Sequence, residues 1–322
     1  MPSRPRDVPA DAIDGASPDV AELAEQIRRR LRSAGVAHVL VPDPDEATEP
    51  FPGEPGPDGV PHRSLRDWLD LAEAVGARMR TPRPVPASDP PRLLVGFERA
   101  TGASDLHADG GRPPDRYGVQ RDFSRLHKMA LPGFLLPLLD ALAFAAPRGA
   151  ERVLVLGCHR GDELAALAQA TPPIPPEAVV GIDRQADALD EARRRHPGAR
   201  FLRADANDLP ADLGRFDLIL VIDVLQSPEL DGPATLARLV RDHASGGGGL
   251  VVGLPCSRLV DRQIVWGART RNYAEVDLSL VVRDLAGHRR YLHQHGYRTR
   301  IGGRYDLLLA GRREGSPERE RS

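Results

Sequence analysis

Two glycines, Gly157 and Gly161, bracket the polar loop Leu156-Gly-Cys-His-Arg-Gly-Asp162, which follows the unbroken apolar run Val153–Leu156. Glycines in such a loop let the chain turn sharply and let backbone approach a ligand that a Cβ would hold off. Asp162 and Glu163 come next, where the start of a helix favours negative charge. Three more acids sit at or just after apolar runs: Asp183 closes 179–183, Asp205 follows 199–204, and Asp223 lies near the end of 216–224. A strand, a glycine loop and a helix in that order form a nucleotide-binding unit, so the chemistry expected of this set is recognition of a nucleoside-like ligand.

Apolar runs without alternation read as strands buried on both faces, the mark of a parallel sheet. They occur at 153–156, 179–183, 199–205, 216–224 and 249–255, with helical patterns at 162–170, 185–195 and 233–243 between them. Strands alternating with helices imply right-handed crossovers and a doubly wound α/β sheet. A helical segment over 117–127 and a very apolar helix over 131–145 precede the first of these strands. After a helix over about 276–295, residues 297–311 read as two strands joined at Gly302-Gly303, a hairpin.

Residues 1–18 read as a disordered leader, 19–115 as a small N-terminal α/β appendage, 116–313 as the main domain and 314–322 as a charged tail. The appendage has helical patterns at 20–31 and 65–79, strand patterns at 37–41 and 92–97, and a proline- and acid-rich loop at 42–61. Its role is open between a substrate lid, a dimer contact and a structural cap.

The chain has 322 residues, 41% of them hydrophobic, and a formal net charge of -2. That supports a sizeable core and excludes disorder throughout or a nucleic-acid tail. No apolar run approaches bilayer length and no apolar signal segment follows Met1, so a soluble, cytoplasmic protein without a membrane partner is expected. Cys158 and Cys256 match no disulfide framework or zinc spacing, and on a helix His293 and His295 point to nearly opposite sides; no metal is expected. Lys128 is the only lysine, so arginine is enriched generally. The ten arginines against four acids between Cys256 and Arg304 therefore do not favour a nucleic-acid partner.

Taken together, the glycine loop, Gly181-Ile-Asp183, Asp205-Ala-Asn-Asp-Leu209, Phe216–Val224 and the closing hairpin resemble a class I S-adenosylmethionine-dependent methyltransferase. The resemblance implies a mostly parallel, seven-stranded Rossmann-like sheet with its last strand inserted antiparallel, and S-adenosyl-L-methionine as cofactor. It implies contacts from Leu156, Gly157, Cys158, Gly161 and Asp162 in the loop, from Asp183 to the ribose with Arg184 beside it, and from Asp205 and Ala206 to the adenine. Asp223 and Val224 would contribute from the carboxyl edge of the sheet. Leu156 stands where the family usually has an acid, which leaves the cofactor's amino group without that partner; Asp223 or a backbone carbonyl could substitute.

His159 stands where a glycine is frequent, and the expectation is a negative φ with the ring turned away from the cofactor. A ring facing the acceptor makes His159 the candidate catalytic base. Acceptor contacts are expected from the irregular stretch 256–273, with Trp266, Arg269, Arg271, Asn272 and Tyr273 as candidates. The sulfonium is already activated, so positioning supplies much of the rate. The expected activity is methyl transfer to a small-molecule acceptor. The alternatives are an RNA or protein methyltransferase and a non-catalytic binding or scaffold module. A nicotinamide dehydrogenase would want G-x-G-x-x-G, a spacing this loop lacks.

Overall fold

The structure, a computed structural model, describes residues 8–46, 51–56, 59–101, 125–146, 148–210, 212–268 and 278–313. It divides into two compact units, Met1–Gly102 and Ala103–Ser322.

In the first unit, β1 (Ile13–Asp14) precedes α1 (Val20–Ala34), whose Leu23, Ile27 and Leu31 recur at helical spacing and form a buried stripe. Asp19 caps that helix by accepting from the Glu22 N–H at 2.9 Å. Then come β2 (Val36–Pro42), α2 (Leu65–Ala74), β3 (Ala77–Met79), β4 (Arg83–Pro84) and β5 (Arg92–Arg99). The sheet runs β1-β2-β5-β3 with β4 also on β5, and Trp68, Val39, Val95 and Phe97 close its core. The helix expected over 65–79 ends at Ala74, because residues 77–79 take their backbone partners from β5 instead.

In the second unit, α3 (Pro132–Ala145) leads into β6 (Val153–Leu156), α4 (Glu163–Gln169), β7 (Val179–Asp183), α5 (Ala186–Arg195) and β8 (Arg200–Arg203). β9 (Phe216–Ile222), α6 (Gly232–Arg238) and β10 (Ala244–Pro255) follow. A short hairpin, β11 (Ser257–Val260) with β12 (Gln263–Trp266), precedes α7 (Leu278–Gln294), β13 (Tyr297–Gly302) and β14 (Asp306–Arg313). The seven-stranded sheet runs β13-β14-β10-β9-β6-β7-β8. β6 to β10 are parallel, and β14 is inserted antiparallel between β10 and β13.

Alternate residues along the central strands bury on opposite faces. Val153, Val155, Leu218 and Leu220 pack with Leu142, Leu164 and Leu189 of α3, α4 and α5. Leu154, Leu156, Ile219 and Val221 pack with Leu236, Val281 and Leu285 of α6 and α7. Each such leucine or valine contributes roughly 1.5–3 kcal/mol on burial, which is why these runs show no polar alternation. The strand order reverses between β6 and β9, the kind of switch point where open α/β sheets bind ligands.

The stretch 256–273 is less irregular than expected, since β11 and β12 pair from Ser257↔Trp266 to Val260↔Gln263. Their turn is made by Asp261 and Arg262, both at positive φ (47° and 65°), a pair that lacks the glycine signature of such turns. Of the helix expected over 117–127, residues 117–124 lie outside the described residues; Lys128–Ala130 form a single 3-10 turn. Among the described residues, no helix is long and apolar enough to cross a membrane.

Candidate functional site

The loop between β6 and α4 is fastened to β7 by its backbone: the N–H groups of Gly157 and Cys158 both donate to the Ile182 carbonyl, at 2.7 and 3.0 Å. Gly157 has φ 72°, and a Cβ there would stand 2.3 Å from Cγ2 of Val224. His159 has φ 44°, which corrects the negative φ expected for it. Its N–H donates to Oδ2 of Asp183 at 2.8 Å, and this bond holds a side-chain-bearing residue in a region that costs about 1–2 kcal/mol. Gly161, at φ 77°, directs its missing side chain at His196, 2.9 Å from Cδ2.

A cavity of about 240 Å³ opens at the carboxyl edge of the sheet. Leu156, Gly157, Cys158, Asp162, Asp183, Arg184, Asp205, Ala206, Asp223 and Val224 all line it, and so does His159. Gly161 does not: it packs against His196, behind the loop. Asp183 accepts from the Gln185 N–H on Oδ1 at 2.9 Å and from His159 on Oδ2, and a carboxylate has about four acceptor sites, so two donors do not exhaust it. Asp205 accepts from the Asn207 N–H at 2.8 Å, an Asx turn that fixes the loop after β8. Arg184 pairs with Glu229, another lining residue. The Cys158 thiol is fully buried and burial pushes its pKa up, so thiolate chemistry is not available to it.

Asp162 precedes α4 but makes no side-chain cap to it. Its carboxylate accepts from Arg160 Nε at 2.8 Å and Arg195 Nη1 at 2.6 Å. Burial alone would raise its pKa, and the two arginines outweigh that and hold it below the usual carboxylate range.

Lys128 and Glu163 also line the cavity. Lys128 pairs with Asp223 and reaches both oxygens of Asp306 at 3.1 Å, with its ammonium 4.9 Å from the centre of the Phe134 ring. Asp306 opens β14 opposite Pro255, so the antiparallel insertion brings it to the carboxyl edge of β10. Burial opposes the charge of Lys128, yet Asp223 and Asp306 hold its pKa above the ordinary lysine value. Burial and the neighbouring Asp223 push Asp306 up to about 7, against the pull of Lys128, because one ammonium is shared between the buried Asp306 and the half-buried Asp223. Oε2 of Glu163 and Oδ1 of Asp223 are closed off from solvent without a hydrogen-bond partner. Burial pushes the Glu163 carboxyl up to about 8; Asp162 and Asp223 add to the rise, while Lys128 and a backbone hydrogen bond oppose it.

Neither residue is among those singled out from the sequence for the site; the signals that could have found them are that Lys128 is the one lysine in a chain that otherwise uses arginine and that Glu163 lies two residues after the second glycine. Trp266 ends β12, is 43% exposed, and does not line the cavity. Arg269, Arg271, Asn272 and Tyr273 lie outside the described residues.

Residues 153–247 match a methyltransferase-domain family. The chain is similar to a 37.1 kDa protein in transposon TN4556 of Streptomyces fradiae, 32% identical over 145 residues, which are 44% of this chain and 37% of the relative. It is similar as well to the trans-aconitate 2-methyltransferase of Deinococcus radiodurans, 35% identical over 122 residues, 38% of this chain and 44% of the relative. The chain thus spans less than half the length of these curated relatives. The plantazolicin methyltransferase BpumL, solved with S-adenosylhomocysteine, aligns at 13% identity and a TM-score of 0.44, over 65% of this chain and 93% of that one. The strand order with its antiparallel insertion, the glycine loop and the family match over 153–247 agree on one conclusion: the second unit is a class I, Rossmann-like, S-adenosylmethionine-dependent methyltransferase domain.

Proposed function

We propose that the protein transfers the methyl group of S-adenosylmethionine to a small-molecule acceptor. The observation that carries this reading is that one cavity at the switch point is lined at once by the glycine loop and by the strand-end acids Asp183, Asp205 and Asp223. The similarity to a methyltransferase named for trans-aconitate supports a small acceptor. When bound, the cofactor supplies a methyl carbon on a positively charged sulfur. In this reading Asp183 accepts from the ribose hydroxyls, which a neutral residue does less strongly. Asp205 accepts from the adenine amine, with Ala206 against the ring. Gly157 keeps the loop backbone close, since any side chain there meets Val224.

The acceptor's lone pair takes the methyl carbon while sulfur keeps the bonding pair; an acceptor that carries a proton gives it up, with His159 the candidate base. Isotope-labelled S-adenosylmethionine incubated with separate pools of small carboxylic acids, RNA and protein tests the acceptor class. Label in the small-molecule pool is the expected result. Label confined to RNA or protein overturns it.

A further inference from the structure

No acid stands at the end of β6 ahead of Gly157: Val155 and Leu156 are both apolar and fully buried in the core. Among the other acids of the loop and strand ends, Asp223 also leaves one oxygen, Oδ1, unpartnered, but its Oδ2 is engaged by Lys128, and the rest are held on charged or backbone donors. Asp162 is held by Arg160 and Arg195, Asp183 by two backbone N–H groups, and Asp306 by Lys128. Glu163 has none for Oε2, although that oxygen is closed off from solvent beside the cavity it lines. A buried, unpaired carboxylate oxygen costs stability unless something arrives to meet it. The charge balance says what that is. Lys128 already serves Asp223 and Asp306, so three carboxyl groups, Glu163, Asp223 and Asp306, stand near one ammonium, and that of Glu163 keeps its proton for want of a second cation. Such a site takes a further cation.

We propose that Glu163 is the carboxylate that receives the ammonium group of the cofactor's amino-acid portion, supplying from the first turn of α4 the acid that the end of β6 lacks. This rests on the methyltransferase reading. The charged groups acting on Glu163 are Asp162, Asp223 and Lys128, and Cys158 also feels its charge. In the free protein the Glu163 carboxyl, pushed up to about 8 by burial, holds its proton at pH 7; an arriving ammonium favours the carboxylate, and the proton leaves to solvent.

The test is calorimetric titration of the full chain and of Glu163→Gln with two probes in buffers of different ionisation heat. S-adenosylhomocysteine carries the ammonium; 5′-methylthioadenosine has the nucleoside without it. Wild-type protein is expected to release about one proton per S-adenosylhomocysteine bound at pH 7. Glu163→Gln is expected to lose that release and to bind S-adenosylhomocysteine about tenfold or more weakly, with 5′-methylthioadenosine affinity held within about twofold, which also shows the variant folded. Wild-type binding of S-adenosylhomocysteine that Glu163→Gln reproduces in affinity and proton release overturns the role of Glu163 alone. A wild-type protein that binds neither compound overturns the methyltransferase reading, and this proposal with it.

Discussion

On the β7–β8 side of the cavity the acids rest on backbone donors: Asp183 takes N–H groups from His159 and Gln185, and Asp205 takes one from Asn207. On the β9–β14 side they rest on one side chain, with Asp223 and Asp306 both bound to Lys128, 95 and 178 residues away from it in sequence. Backbone donors are neutral, come with the fold and survive substitution of the residues that carry them. A lone half-buried lysine does none of these things. The first side is therefore robust, and the second depends on charge and on pH.

Removing the lysine gives the largest expected effect. Lys128→Met leaves the buried Asp306 and the half-buried Asp223 without a cation and should destabilise the protein by about 3–5 kcal/mol at pH 8. The loss should shrink at pH 5, where the stranded acids take up protons. Urea denaturation at the two pH values checks this, and an equal loss at both would remove the distinction between the two sides.

On the other side of the cavity, Asp183→Ala should weaken S-adenosylhomocysteine binding by roughly 1.5–3 kcal/mol, the scale of charge-assisted hydrogen bonds, while the protein still folds. An unchanged dissociation constant in folded Asp183→Ala would take Asp183 out of the binding site.

Glu163 sharpens the pH side of the comparison. Its carboxyl is raised from 4.5 to about 8 in the folded protein, so between those values the folded state holds a proton the unfolded state has lost. Stability from this group is complete below about pH 4.5 and is lost as pH rises through 8. Denaturation midpoints of Glu163→Gln should be flatter across that window than those of the wild type. Parallel profiles would mean Glu163 titrates normally.

The smallest effect concerns the loop. With φ at 44° at position 159, His159→Gly should be more stable than His159→Val by about 1 kcal/mol. A turnover that falls in His159→Gly while cofactor binding holds would assign it the base.

The same contrast explains what could be read from the sequence. Asp183, Asp205 and the glycine loop are marked by strand-end position and by local spacing, so the apolar runs located them. Residues 128, 223 and 306 meet only because β14 is inserted beside β10 and α3 leads into β6, a packing no local pattern records. His159 escaped for a different reason: its left-handed backbone is held by the carboxylate of Asp183, a contact across 24 residues that overrides the residue's own preference. The turn at Asp261-Arg262 was hidden because its residues lack the usual glycine.

The cavity of the second unit is expected to take the methyl-donor cofactor and not a nicotinamide dinucleotide. Titration calorimetry of the full chain with S-adenosylhomocysteine and, separately, with NAD tests it most directly. Saturable one-to-one binding of S-adenosylhomocysteine with no heat from NAD is the expected result; binding of NAD, or no binding of S-adenosylhomocysteine, would overturn the assignment of the cavity.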